Sequence, residues 1–282
     1  MSHEIMPIFE GYGEKDKEIF GGEFKLLNLG KKEGSFKPTD PKFYERIEGV
    51  RKKLGLKYIF APSLAFTKRT ASMTNKGEEK FMFGSEGKDD KVATEGIMRT
   101  EEKADGGIVF LDDLEKKGIN PNEVGIAGFN ADCPFIVGYD EKKRAMFMLH
   151  AGLACLQKTG ERNHETIFEK VVKDHDLDPK NIKIFVTGGI QKCCYGRDDQ
   201  VFPDVMKAWG VRFGSVATEG SREGQTSMNL LALIYNDLLR VGVNSDNIDV
   251  NEKCTCCDGE HWSNVKGDQE RNLVLVRPNF SE

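Results

Sequence analysis

Histidine is scarce in this chain, with five residues in 282. A protein built around several histidine-bound metal centres cannot be assembled from so few. No run of about 18 consecutive apolar residues occurs, so no segment reads as a bilayer-spanning helix. Charge of one sign is not in excess. Forty-one Lys and Arg stand against 46 Asp and Glu, for a formal net charge of −5, which leaves no basic footprint for nucleic acid. The opening residues MSHEIMPIFE lack the basic start and apolar stretch of a secretory signal. The expected setting is therefore the cytoplasm, with neither a membrane nor a nucleic acid as partner. Internal repeats and low-complexity tracts are also lacking.

What is present fits a globular enzyme-sized chain. Hydrophobic residues make up 38% and charged residues 31%, and the length can bury a full core. The seven cysteines are odd in number, and four of them are vicinal, Cys193-Cys194 and Cys256-Cys257. Chain neighbours rarely bridge each other, so reduced thiols available for metal or catalysis are expected.

The stretch from Asn130 to Gly152 organises the rest. Pro134 to Tyr139 and Arg144 to Leu149 are apolar and β-rich, and Asp140 to Lys143 is a polar turn, which predicts a hairpin. Cys133 precedes the first strand and His150 ends the second. Antiparallel pairing places this thiol and imidazole side by side, with Asp132 next to them and Ala151 and Gly152 leaving room for a ligand. A thiolate and an imidazole at one point can hold a metal such as zinc or can act as nucleophile and base.

Around the hairpin, strands and helices alternate. Strands are expected at Lys57 to Ala61, Gly106 to Leu111, Val124 to Phe129, Ile182 to Thr187, Val211 to Ala217 and Asn272 to Arg277. Helices are expected after the Asp40-Pro41 start signal, at Asp112 to Lys117, His164 to His175, Phe202 to Trp209 and Ser227 to Val241. Residues 67–103, rich in Lys, Glu and Gly, read as a loop or mobile insertion. The whole pattern predicts one α/β domain over residues 1–282, layered from mixed sheets and packed helices.

Several words occur in a fixed order: Leu27-Asn28-Leu29-Gly30, Ala104-Asp105-Gly106, Ala131-Asp132-Cys133-Pro134, His150-Ala151-Gly152, Gly188 to Tyr195, Cys254-Thr255 and His261-Trp262-Ser263. In this the chain resembles the laccase-domain family, formerly called multicopper polyphenol oxidases and regarded as purine nucleoside phosphorylases with adenosine deaminase activity. The resemblance implies a purine nucleoside enzyme, with phosphate as a possible second substrate. It implies zinc held by Cys133 and His150, with Asp132 orienting His150 or the attacking group. It also implies a pocket lined by Gly189, Cys193 and Tyr195, where the glycine turn offers backbone N–H groups to an anion.

The chain departs from the family pattern at two places. The family's third metal ligand, a histidine expected just after the strand at residues 57–61, is absent from Ala61-Pro62-Ser63-Leu64-Ala65-Phe66. Leu153 and Ala154 stand where the family has Trp and Arg, and Val265-Lys266 where it has two arginines. Lys266, Arg271 and Arg197 are the candidate substitutes for phosphate binding. The segment Cys254 to His261 adds three thiols, two carboxylates and an imidazole, able to complete the Cys133 site or to bind a metal of its own. Two further readings stay open: a metal-free cysteine hydrolase using Cys133 and His150, and a non-catalytic descendant that binds a nucleoside or metal.

Overall fold

The computed structural model describes residues 16–64, 70–73, 81–83, 96–100, 104–156, 165–197, 217–219 and 226–281. Its centre is the expected hairpin. Strands β9 (Phe135–Asp140) and β10 (Ala145–His150) pair antiparallel, Ala145 opposite Asp140 and His150 opposite Phe135. The Asp140 carboxylate accepts from the Lys143 N–H at 3.0 Å and closes the turn. Every residue of both strands is buried, because the hairpin lies between two apolar layers.

Six strands form the inner sheet, in the order β15 (Ile248–Val250), β11 (Ile182–Val186), β9, β10, β7 (Gly106–Phe110), β4 (Thr70–Ser72). A seven-stranded sheet faces it, in the order β1 (Asp16–Ile19), β2 (Phe24–Leu29), β16 (Asn272–Pro278), β8 (Val124–Asn130), β3 (Tyr58–Phe60), β6 (Gly96–Thr100), β5 (Phe81–Phe83). Both are mixed: β11 runs parallel to β15 and antiparallel to β9, while β3 runs parallel to both β6 and β8. A small third sheet joins β12 (Gly196–Arg197), β14 (Thr226–Met228) and β13 (Ala217–Glu219).

Side chains in a strand alternate between faces, and the alternation sorts the core into layers. Ile136, Phe147 and Leu149 point to one side, against Ile167 and Phe168 of α4 (Ile167–Asp174) and Leu230 and Ile234 of α5 (Leu230–Val241). Phe135, Val137, Met146 and Met148 point to the other side, against Phe24, Ile126 and Val274 of the second sheet. The far face of that sheet, with Leu27, Phe129 and Leu275, is covered by Phe43, Ile47 and Val50 of α1 (Phe43–Lys53). The order is thus helices, sheet, sheet, helix.

The observed element bounds differ from the sequence reading in places, each with a physical cause. Helix α4 begins at Ile167 rather than His164, because Thr166 and Glu169 form a reciprocal capping box. Helix α5 begins at Leu230, since Asn229 caps it by accepting from the Ala232 N–H, and Thr226–Met228 is drawn into a strand. Helix α1 starts after Lys42, not at Pro41, and Asp40 binds the Lys42 N–H within the preceding turn. Residues 67–103, read as a loop or insertion, contribute β4, β5 and β6 to both large sheets. The expected helix at Phe202 to Trp209 and most of the strand at Val211 to Ala217 fall outside the described residues. No helix among the described residues is long and apolar enough to cross a membrane.

Candidate active site

The open end of the hairpin carries the site. The terminal pair His150–Phe135 sets Cys133 two residues before β9, and the Ala151 N–H donates to the Pro134 carbonyl at 2.9 Å. A methyl group added at Gly152 would lie 3.0 Å from Cys133 Sγ, 3.0 Å from His150 Cε1 and 3.2 Å from His150 Nε2. The thiol and the imidazole therefore converge on one point, which stays open because residue 152 has no side chain.

The other edge of the ring faces two groups. His150 Nδ1 is 3.7 Å from Asp105 Oδ1 and 3.7 Å from Cys155 Sγ. The Asp105 carboxylate is at ion-pairing range, longer than an ordinary hydrogen bond. Register puts it there: β7 pairs with β10 so that Gly106 lies opposite Leu149, and the His150 N–H donates to the Asp105 carbonyl at 2.7 Å. Cys155 returns to the ring through α3 (Leu153–Leu156), its N–H bonded to the Gly152 carbonyl at 2.9 Å.

Burial works against a charged His150, which is only 4% exposed. Electrostatic attraction to Cys133, with the contacts of the ring to Asp105, Cys133 and Cys155, outweighs burial and raises its pKa well above the usual histidine range. Burial pushes the Cys155 thiol up, so that it stays a neutral neighbour. A histidine raised in this way stabilises the fold fully below its unfolded pKa, and that contribution is lost as pH rises through the folded pKa. With Cys133→Ser in metal-free protein, the largest opposing cause disappears and burial remains. The expected result is a His150 ring titration moved to lower pH, read from ring-labelled histidine NMR spectra. A midpoint left in place would show that Cys133 does not act on the ring.

Asp132, expected to orient His150 or the attacking group, has its carboxylate bonded to Thr255 and Val265. Its Oδ1 accepts from Thr255 Oγ1 at 2.9 Å and its Oδ2 from the Val265 N–H at 2.9 Å. Its carbonyl accepts from the Ile190 N–H at 2.8 Å. The residue sits at φ 85°, a left-handed conformation costing on the order of 1–3 kcal/mol for a side chain other than glycine. These three bonds offset that cost. Asp132 thus ties three segments together next to Cys133, while Asp105 is the carboxylate beside His150.

The residues expected to line a pocket fall in several places. At Gly189 a Cβ would come within 2.8 Å of the Asp132 carbonyl, so only glycine allows this approach. Its N–H is spent on the Lys253 carbonyl, and that of Ile190 on Asp132, so neither is left for an anion. Cys193 lies in a cluster of thiols with Cys194, Cys254 and Cys257, where burial and the adjoining thiols push it up to about 11. Tyr195 packs half-buried on the core, and its carbonyl accepts from the Met228 N–H. Lys266 is exposed next to Val265, and the Arg271 guanidinium donates to the carbonyls of Gln269 and Glu270. A cleft of about 410 Å³, lined by Asn28, Gly30, Lys253 and His261 among others, reaches Thr255 but not Cys133 or His150.

The chain belongs to the family described as multi-copper polyphenol oxidoreductase laccase, whose model matches residues 116–272. Its fold is similar to that of the hypothetical protein YfiH from Bacillus licheniformis, at 17% identity and a TM-score of 0.64 over 91% of both chains. YlmD from Geobacillus stearothermophilus is similar at 17% identity and 0.64, over 91% of this chain and 92% of its own. A Neisseria meningitidis protein, NMB0706, is similar at 14% and 0.64, over 92% and 95%. Comparison with curated proteins gave no match.

The copper of the family's description does not fit these residues. Multicopper oxidation needs several ions held largely by histidine. Among the described residues His261 is held by Asp258 at 2.6 Å and His175 packs on Phe110, which leaves His150 alone in the site. A single zinc fits the Gly152 opening in donor type but not in number. Cys133 and His150 supply two ligands where a catalytic zinc generally takes three from the protein. Ala61, Pro62 and Leu64 offer no metal-binding side chain, and the Ser63 hydroxyl is bonded to the Thr100 carbonyl.

Proposed function

We propose that this protein is a purine nucleoside enzyme that cleaves a C–N bond of its substrate with water, by deamination or by hydrolysis of the glycosidic bond. The observation that carries the reading is the convergence of Cys133 and His150 on the Gly152 opening, with Asp105 behind the imidazole. The substrate class follows from the resemblance of the sequence words to the purine nucleoside enzymes of this family.

The pair matches the proton movements that such a reaction needs. The oxygen of water bonds to the carbon under attack, and one of its protons passes to the Cys133 thiolate. The nitrogen leaving that carbon takes the proton held by His150, so amine or purine departs neutral. Transfer of the proton from Cys133 to His150 then restores the starting state. Asp105 holds the ring in place and stabilises its charged form. With its pKa raised, His150 serves as the acid, and turnover should fall on the alkaline side as it loses its proton.

A second reading, zinc at Cys133 and His150, is favoured by the donor types alone. The two are separated by assaying adenosine, inosine and guanosine turnover before and after treatment with a strong chelator. Activity that survives chelation supports the metal-free pair. Activity lost to the chelator and restored by zinc, together with a bound zinc that disappears in Cys133→Ser, supports the second reading, and absence of turnover of any purine nucleoside rejects both.

A further inference from the structure

We propose that Cys193, Cys194, Cys254 and Cys257 together bind one zinc ion, at a structural site separate from the Cys133–His150 pair. Their four sulfurs lie within 4.8 Å of one another. Cys193 Sγ is 3.6 Å from that of Cys254 and 3.5 Å from that of Cys257, and Cys194 Sγ is 3.3 Å from that of Cys257. A tetrahedral zinc with Zn–S bonds of about 2.3 Å spaces its sulfurs about 3.8 Å apart, close to these values. Two disulfides would divide the sulfurs into pairs about 2.05 Å long. Here Cys193 and Cys257 each face two partners, so the four form one cluster.

The backbone is shaped for the same purpose. Cys254 and Cys257 have C-x-x-C spacing, and the N–H groups of Cys257 and Asp258 both bond the Cys254 carbonyl at 3.0 Å, curling the segment into a knuckle. The Gln191 N–H points at Cys254 Sγ at 3.4 Å, as a donor to a thiolate would. The second pair sits on a turn held by the N–H groups of Cys194 and Tyr195, both bonded to the Gln191 carbonyl at 2.9 Å. A bridge between Gly189 and Cys254 lays the two turns side by side. Cys256, the remaining thiol of the run, turns into the core at 6% exposure. Four thiols and no carboxylate or imidazole favour zinc over magnesium or calcium, which take oxygen ligands.

The ion would staple the segments that grip Asp132. Ile190 binds the Asp132 carbonyl and Thr255 its carboxylate, and each lies within four residues of a proposed ligand. Removing the metal is expected to loosen Asp132 and so the placement of Cys133, without touching His150.

The test is elemental analysis of the full-length protein purified under reducing conditions, together with Cys133→Ser and the double variant Cys193→Ser/Cys257→Ser. One zinc per chain is expected in the wild type and in Cys133→Ser, with at least a tenfold drop in the double variant. Should the double variant fail to fold, blocking the thiols of Cys133→Ser with a mercurial and counting released zinc with a chromogenic chelator gives the same information. One zinc released per chain, together with a tetrahedral-thiolate spectrum after cobalt exchange, supports the site. Two zincs, one lost with each variant, would support it and the metal-dependent reading of Cys133 as well. Zinc that follows Cys133 alone, or a metal-free chain whose intact mass shows two disulfides, would overturn it. None of these readouts depends on nucleoside turnover.

Discussion

Cys133→Ser is expected to lower purine nucleoside turnover by at least about a thousandfold, the scale seen when a member of a hydrolytic constellation is removed. The hydroxyl nearly matches the thiol in volume but carries no negative charge at neutral pH. It is therefore a poor acceptor for the proton of water, and it no longer holds the proton on His150. Because Cys133 is only partly buried, and its carbonyl remains bonded to Asn130 Nδ2, the fold should survive, with stability lowered by the lost interaction with His150. Turnover and urea denaturation measured on the same sample separate the two effects. Loss of activity with a cooperative unfolding transition retained is expected. Retained activity would remove Cys133 from the chemistry.

Phosphate should contribute little to the reaction. Ala154, Val265 and Lys266 stand where the resemblance implies arginines, and Leu153 where it implies Trp. Leu153 packs into the core, Lys266 is exposed, and Arg271 is occupied with loop carbonyls. A charge-assisted contact to a buried phosphate contributes roughly 1.5–3 kcal/mol. Loss of two therefore weakens phosphate binding by about two to four powers of ten, whereas water needs no such anchor. Adenosine incubated with and without millimolar phosphate should yield inosine, or adenine and free ribose, at similar rates. Ribose 1-phosphate as the main product would mean that Lys266, Arg271 or Arg197 anchors phosphate after all.

What the sequence revealed about this site follows the range over which each contact acts. The hairpin is local, and its two continuous apolar runs with a polar turn placed both strands to within about a residue. Cys133 and His150 could therefore be placed together from spacing alone. Asp105 could not be assigned, though its Ala-Asp-Gly word was visible. Its position depends on the pairing of β7 with β10, two strands far apart in the chain whose register no nearby residue specifies. The same holds for the thiol cluster: the bridge between Gly189 and Cys254 spans more than sixty residues. The partners of the Asp132 carboxylate were likewise out of reach of the sequence, since Thr255 and Val265 lie more than a hundred residues away. The late start of α5 reflects a competition, in which the small edge sheet takes Thr226–Met228 and Asn229 caps what remains.

A purine nucleoside is proposed to bind at the Cys133–His150 pair. Ring-labelled histidine NMR during titration with inosine tests this binding most directly, because the chain has only five histidines and His150→Gln identifies the relevant signal. Saturable movement of the His150 resonance is predicted, with those of His175 and His261 unchanged. Inosine that binds while His150 stays still, or that does not bind at all, would contradict the account.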